Sequence, residues 1–257
     1  MLKKQKYPIL EFDTERKAII EPDKFIPRLK GFPKRGILCY LGKTIASLKA
    51  AGKLKLIYTV RSICTDYPVY QVKVRGEKVL LVNPYSGAPT TVGIMEELGA
   101  CGCTKWIGCG AAGVLDKKIA VGHLLLPDTA LREEGTSYHY LKPSREVAAS
   151  PIAVKAIKKT LDRHGVPYLV AKTWTTDGFF RETPAKVALR KKEGCLSVEM
   201  EAAAIFAVAR FRGYQAGALF YGGDDVSGKD WDSRRFHDRA YIQEKLVWLA
   251  VEACLAM

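Results

Sequence analysis

The stretch Ser197-Val198-Glu199-Met200-Glu201-Ala202-Ala203-Ala204, continuing through Gly213 to Gly217–Tyr221 and Gly223-Asp224-Asp225, decides the fold class. An extended segment gives way to a helix rich in small residues, Glu201–Phe211. Gly213 stands where a helix ends, and an apolar strand follows at Gly217–Tyr221. Working outward, the same alternation covers the chain. Strands are predicted at Gly36–Tyr40, Leu54–Arg61, Val69–Val74, Val79–Asn83, Trp106–Cys109, Leu124–Pro127 and Tyr168–Thr175. Helices are predicted at Thr91–Leu98, Pro151–His164, Pro184–Lys192 and His237–Leu255, with Pro151 and Pro184 suited to a first turn and Gly165 to a helix end. Arg75-Gly76-Glu77 reads as a hairpin turn. Strands alternating with helices imply an α/β domain, a central mixed β-sheet flanked by helices. No linker or low-complexity stretch divides residues 1–257, so one domain is expected, with 1–35 an N-terminal extension packing on it.

Within the opening stretch two carboxylates bracket a methionine. Glu199 and Glu201 are two apart, a spacing that shares a face in an extended chain and not in a helix. A carboxylate here suits a vicinal diol, with Met200 packed on a sugar. It equally suits a helix N-terminus, whose dipole favours acidic residues. Composition alone leaves both readings open.

The formal charge of +14 in 257 residues raises the question of nucleic acid. The basic residues are scattered (Lys3, Lys4 and Lys6; Arg190–Lys192; Arg234–Arg235), and no zinc-finger or RNA-recognition signature accompanies them, so a solvated basic face is expected. Seven cysteines without paired spacing argue against a disulfide framework. No signal peptide and no run of membrane-spanning length is present, so a cytoplasmic protein without membrane partners is expected.

Several suggestive motifs fail. Gly42-Lys43-Thr44 resembles the tail of a P-loop, but the upstream glycine would fall at Ile37, and Gly36 is one place too far. Cys101, Cys103 and Cys109 lack the spacing of a zinc knuckle and read as buried thiols, and the four histidines form no ligand pair. Metal: none. His139, between Tyr138 and Tyr140, is the one histidine placed near a site.

The segment Ser197–Phe206 resembles the ribose-binding signature of the nucleoside phosphorylase family, which includes uridine phosphorylase, bacterial purine nucleoside phosphorylase and methylthioadenosine nucleosidase. Three further segments match in order. Tyr85-Ser86-Gly87-Ala88-Pro89 with Glu96-Glu97-Leu98 resembles the family's glycine–proline turn and helix. Gly108-Cys109-Gly110-Ala111-Ala112-Gly113 resembles its glycine-rich strand end, bringing Gly110 and Ala111 to the substrate. Thr176-Asp177-Gly178-Phe179-Phe180 resembles the segment that presents an aromatic ring to the base. Arg132–Tyr140 is similar to the uridine phosphorylase-like branch.

The resemblance implies cleavage of the N-glycosidic bond of a nucleoside without metal or organic cofactor, phosphate being a co-substrate. Such cleavage develops positive charge on the ribose and negative charge on the departing base. By resemblance Glu201, with Met200 and Glu199, holds the ribose; Phe179 stacks on the base with Phe180 as a second wall; and Asp224 is the acid, with Asp225 as the alternative. A homo-oligomer built from dimers, up to a hexamer, is implied as well. The pattern departs on the nucleophile side. Gly108 and Ala111 stand where the family has an arginine and a hydroxyl, and Tyr40–Thr44 replaces the phosphate loop. Lys43, Arg61 or Arg132 would have to supply the charge from new positions, or water is the nucleophile. Arg181-Glu182-Thr183 stands near the place of the uracil-reading Gln-x-Arg, with Arg181 a candidate contact. A silent nucleoside-binding protein is the remaining alternative.

Overall fold

The apolar run Lys105–Val114 forms a strand, β5 in the numbering below, that is buried almost throughout, as a parallel strand covered on both faces must be. The computed structural model describes residues 2–257. Among the described residues ten strands are present: β1 (Arg35–Cys39), β2 (Lys55–Arg61), β3 (Asp66–Val74), β4 (Glu77–Val82), β5 (Lys105–Val114), β6 (Leu124–Glu133), β7 (Glu146–Ala148), β8 (Tyr168–Thr176), β9 (Cys195–Glu199) and β10 (Gln215–Asp225). The α-helices are α1 (Pro22–Phe25), α2 (Gly42–Ala50), α3 (Ala88–Cys101), α4 (Pro151–Arg163), α5 (Pro184–Lys192), α6 (Ala202–Arg212) and α7 (Ala240–Leu255).

The strands form one mixed sheet in the order β10-β6-β8-β9-β5-β1-β4-β3-β2, with β7 paired to β6. Because β10 also pairs with β5, the strands β5, β10, β6, β8 and β9 close into a ring. On one side of β5, β1 pairs as far as Cys39 opposite Cys109; β9 then takes over, with Gly113 opposite Val198. That handover brings the ends of β5, β9 and β10 together, and the candidate site lies there.

Helices cover both faces. One core cluster joins Trp106, Met95 and Leu98 to Phe206 and Ile205 of α6; the other joins Leu219 and Tyr221 to Leu246 and Val251 of α7. Each such buried leucine or phenylalanine contributes about 1.5–3 kcal/mol relative to exposure. Ahead of β1, Leu29 N–H donates to the Cys101 carbonyl, and Glu21 pairs with Arg212 at 3.2 Å. Among the described residues no helix is long and apolar enough to cross a membrane.

The hairpin turn falls where expected, Arg75 and Gly76 both at positive φ between the antiparallel β3 and β4. Pro151 and Pro184 open α4 and α5, and Gly213 closes α6 in the left-handed region. Other boundaries differ. Gly42-Lys43-Thr44 opens a helix, α2, that the weak apolar period there does not announce. The strand expected to stop at Pro127 runs on to Glu133 past a register shift between Pro127 and Thr129, which absorbs the missing proline N–H. The last helix begins at Ala240, after a separate 3-10 turn at Phe236–Asp238.

Candidate active site

Glu199 is the last residue of β9, beside Thr175 of the parallel strand β8. Its carboxylate accepts hydrogen bonds from Thr175 Oγ1 at 2.6 Å, Thr173 Oγ1 at 3.3 Å, and the backbone N–H groups of Glu201 and Ala202 at 2.8 and 2.7 Å. It therefore caps the first turn of α6, where unpaired N–H groups and the helix dipole favour an acceptor. Burial pushes its carboxyl up, against the Thr175 hydroxyl and those N–H groups. Glu199 touches the cleft described below, but its oxygens are occupied by protein donors.

Glu201 occupies the N-cap position of α6 and is only 5% exposed. It accepts from Gly87 N–H at 2.6 Å and from Met200 N–H at 3.3 Å. A carboxylate offers about four acceptor positions, so two remain for a diol. Burial, then the neighbouring Glu199 charge, raise its pKa to about 8. Gly87, at φ 117, lets the chain present its N–H to this carboxyl.

Met200 and Glu199 line a cleft of about 740 Å³; Glu201 is buried and is not among its lining residues, its link to the cleft being the hydrogen bond from Met200 N–H. The Phe179–Phe180 pair also lines the cleft, 53% and 87% exposed, with ring centroids 4.1 Å apart. Asp224, half-buried near the end of β10, completes it. The Asp224 carboxylate accepts the Trp231 indole N–H at 2.7 Å. Gly113 permits this approach: a Cβ there would lie 3.0 Å from Val198 Cγ1 and 3.5 Å from Asp224 Oδ2. Ala111 is on the wall; Gly110 is buried below it, against Tyr40. One cleft thus brings together the aromatic pair, Met200 and the Asp224 carboxylate.

The family described as the Phosphorylase superfamily matches residues 34–256. The chain belongs to this superfamily. A guanosine phosphorylase of Halorubrum lacusprofundi is 27% identical over 154 residues, covering 60% of this chain and 64% of that protein. A uridine phosphorylase of Thermococcus kodakarensis is 26% identical over 167 residues, covering 60% of each. The chain spans less than two thirds of the length of these curated relatives. The solved structure of uridine phosphorylase from Vibrio fischeri ES114 has the same fold, with a TM-score of 0.74 at 22% identity over 90% of this chain and 95% of that one.

Against the phosphorylase superfamily fold, the remaining sequence-predicted residues are placed elsewhere. Asp225 is buried away from the cleft, where it accepts from Arg234 at 2.6 Å and Ser227 N–H at 2.8 Å. Burial opposes its ionisation, but Ser227 and Arg234 outweigh that and hold its carboxyl below the usual range. Arg132 is not free for an anion. Its guanidinium donates to Ser137 Oγ, the Lys142 carbonyl, Ser144 Oγ and the Leu141 carbonyl, binding together the loop after β6. Lys43 lies exposed in the first turn of α2, outside the cleft. Arg61 lines a separate surface groove with Tyr58 and Glu97. Arg181 and His139 are exposed and do not line the cleft.

Residues without an assigned role in the sequence complete the wall: Glu182, Lys229, Asp230, Trp231, Phe236 and His237. The signal for Trp231 is a large aromatic inside the polar run Ser227–Asp232, directly after Asp224. Burial, then the Asp224 and Glu133 charges, raise the Glu182 pKa to about 7. Among the described residues Lys229 is the one lysine or arginine lining the cleft, whose wall also carries Glu182, Glu199, Asp224 and Asp230.

Proposed function

We propose that this protein is an enzyme that cleaves the N-glycosidic bond of a nucleoside, with phosphate as the attacking group and no metal or organic cofactor. The observation that carries the reading is the single cleft shared by Met200, the Phe179–Phe180 pair and Asp224, with the Glu201 carboxyl bonded to the Met200 N–H. Glu201 grips the ribose hydroxyls through its two remaining acceptor positions. The aromatic pair stacks on the base, and a carboxyl beside the base stabilises its departure. Matches to guanosine and uridine phosphorylases support the same chemistry.

The reading includes a homo-oligomer built from dimers, a neighbour adding a cation to Lys229 in the cleft. Exposed apolar side chains near Arg61, namely Leu56 and Ile63, support such a contact. Light scattering in solution should give at least a dimer; a monomer at assay concentration would remove this part.

Hydrolysis by water is the second reading, favoured by one lysine against several carboxylates on the cleft wall. The test is a nucleoside panel assayed for free base with and without phosphate. Phosphorolysis requires release that depends on phosphate and yields ribose 1-phosphate. Equal release without phosphate selects hydrolysis, and no release by folded protein defeats both. Glu201→Ala should lower kcat/KM by about 100-fold or more if the ribose grip acts in the transition state.

A further inference from the structure

The cleft contains a second carboxyl group that the reading above leaves without a role. Glu182 sits between the 3-10 turn Phe179–Arg181 and helix α5, half-buried on the cleft wall beside the aromatic pair. Among the described residues its carboxyl makes no hydrogen bond and no ion pair, unlike its neighbour Glu133, which is bound by Lys186 and Arg190. Asp224, on the same cleft wall, accepts the Trp231 N–H, so one of its oxygens already has a protein donor. Two carboxyl groups facing one half-enclosed space hold a single proton between them more readily than two charges. The proton belongs on the member without a donor.

We infer that Glu182 is the general acid of the glycosidic cleavage, with Asp224 as the charged neighbour that keeps it protonated, and that the leaving group is a purine. The inference rests on the N-glycosidic reading above. As the C1′–N9 bond breaks, its electron pair passes into the purine. The Glu182 carboxyl proton is transferred to a ring nitrogen of the base, which leaves neutral. The resulting Glu182 carboxylate regains its proton from solvent after the base departs. A purine fits because it offers a ring nitrogen lone pair to this acid. Uracil offers two carbonyl oxygens on its pairing edge, and among the described residues no arginine, asparagine or glutamine lines the cleft to meet them.

The charged and titratable groups facing Glu182 are Asp224 on β10, Glu133 on β6 and Lys186 on α5, with Lys229, Asp230 and His237 on the same wall. Burial first, then the two acidic neighbours, set its pKa at about 7, where a general acid works best.

The test compares guanosine with 7-methylguanosine, whose cationic base leaves without needing a proton. Glu182→Gln should lower kcat/KM for guanosine by about 100-fold or more, while 7-methylguanosine falls by less than about tenfold. The alkaline limb of the wild-type guanosine profile, near pH 7, should vanish in Glu182→Gln and move to lower pH in Asp224→Asn. Equal losses on both substrates, or a limb unmoved in both variants, overturn the assignment while leaving cleavage itself intact. Cleavage of uridine in preference to guanosine overturns the purine part. No base release by the folded wild type from guanosine, 7-methylguanosine or uridine overturns the parent reading and this assignment together.

Discussion

Glu199 and Glu201 stand two residues apart and do different work, because their donors differ. Glu199 meets four, two hydroxyls and two helix N–H groups. Glu201 meets two backbone N–H groups while buried against the Glu199 charge. Its pKa of about 8, against an ordinary 4.5, makes the folded state bind a proton that the unfolded chain has released anywhere between those values. Stability from this group is thus fully present below pH 4.5 and falls as pH rises through about 8. Glu201→Gln removes the charge and keeps the shape. It should raise the Tm relative to wild type at pH 9, an effect on the order of a few kcal/mol, and the gain should disappear toward pH 4.5. Thermal unfolding across that range checks it; a gain of equal size at both ends would mean packing, not ionisation, is responsible. The same variant should lose turnover, since the amide replaces one of the two carboxyl oxygens with an NH2 that cannot accept from a diol.

At the scale of elements, Arg132 shows how one side chain turns a strand end and a loop into a unit. It leaves β6, lies over the Tyr138 ring with its carbon 4.3 Å from the centroid, and donates to four acceptors between Ser137 and Ser144. Arg132→Met keeps the stem but leaves those acceptors without their donor. It should cost about 3–5 kcal/mol of stability, as loss of a buried charged partner does. Where phosphate-dependent turnover survives, the KM for phosphate should be unchanged. Denaturant unfolding and phosphate titration measure the two halves, and a large rise in KM would restore Arg132 to the anion site. The sequence made the strand–helix alternation and the order of site segments legible, because apolar period and turn residues are local. It did not reveal that β9 displaces β1 beside β5, nor that Asp225 turns away to Arg234 while Asp224 faces the cleft. Such choices depend on strands and loops distant in sequence. Glu182 was hidden for the same reason: its significance comes from Asp224, brought near only by the fold.

For the whole molecule, the surplus of basic residues and the acidic cleft act on different partners. The chain carries +14 overall, yet the cleft wall holds several carboxylates and a single lysine. A neutral nucleoside responds weakly to either field. A phosphate dianion is drawn by the long-range positive potential and repelled by the local charge, and salt screens the first more than the second. The Debye length shrinks to about 8 Å at physiological ionic strength, shorter than the reach of the whole surface but longer than contacts inside the cleft. If phosphate is the nucleophile, its KM should therefore rise several-fold between about 20 and about 300 mM salt, while the KM for nucleoside changes by less than about twofold. Initial rates with each substrate varied in turn give both values. A phosphate KM indifferent to salt would show that the basic surface takes no part in capture. Base release unaffected by phosphate at every ionic strength would assign the surface charge no role in the reaction and leave water as the attacking group.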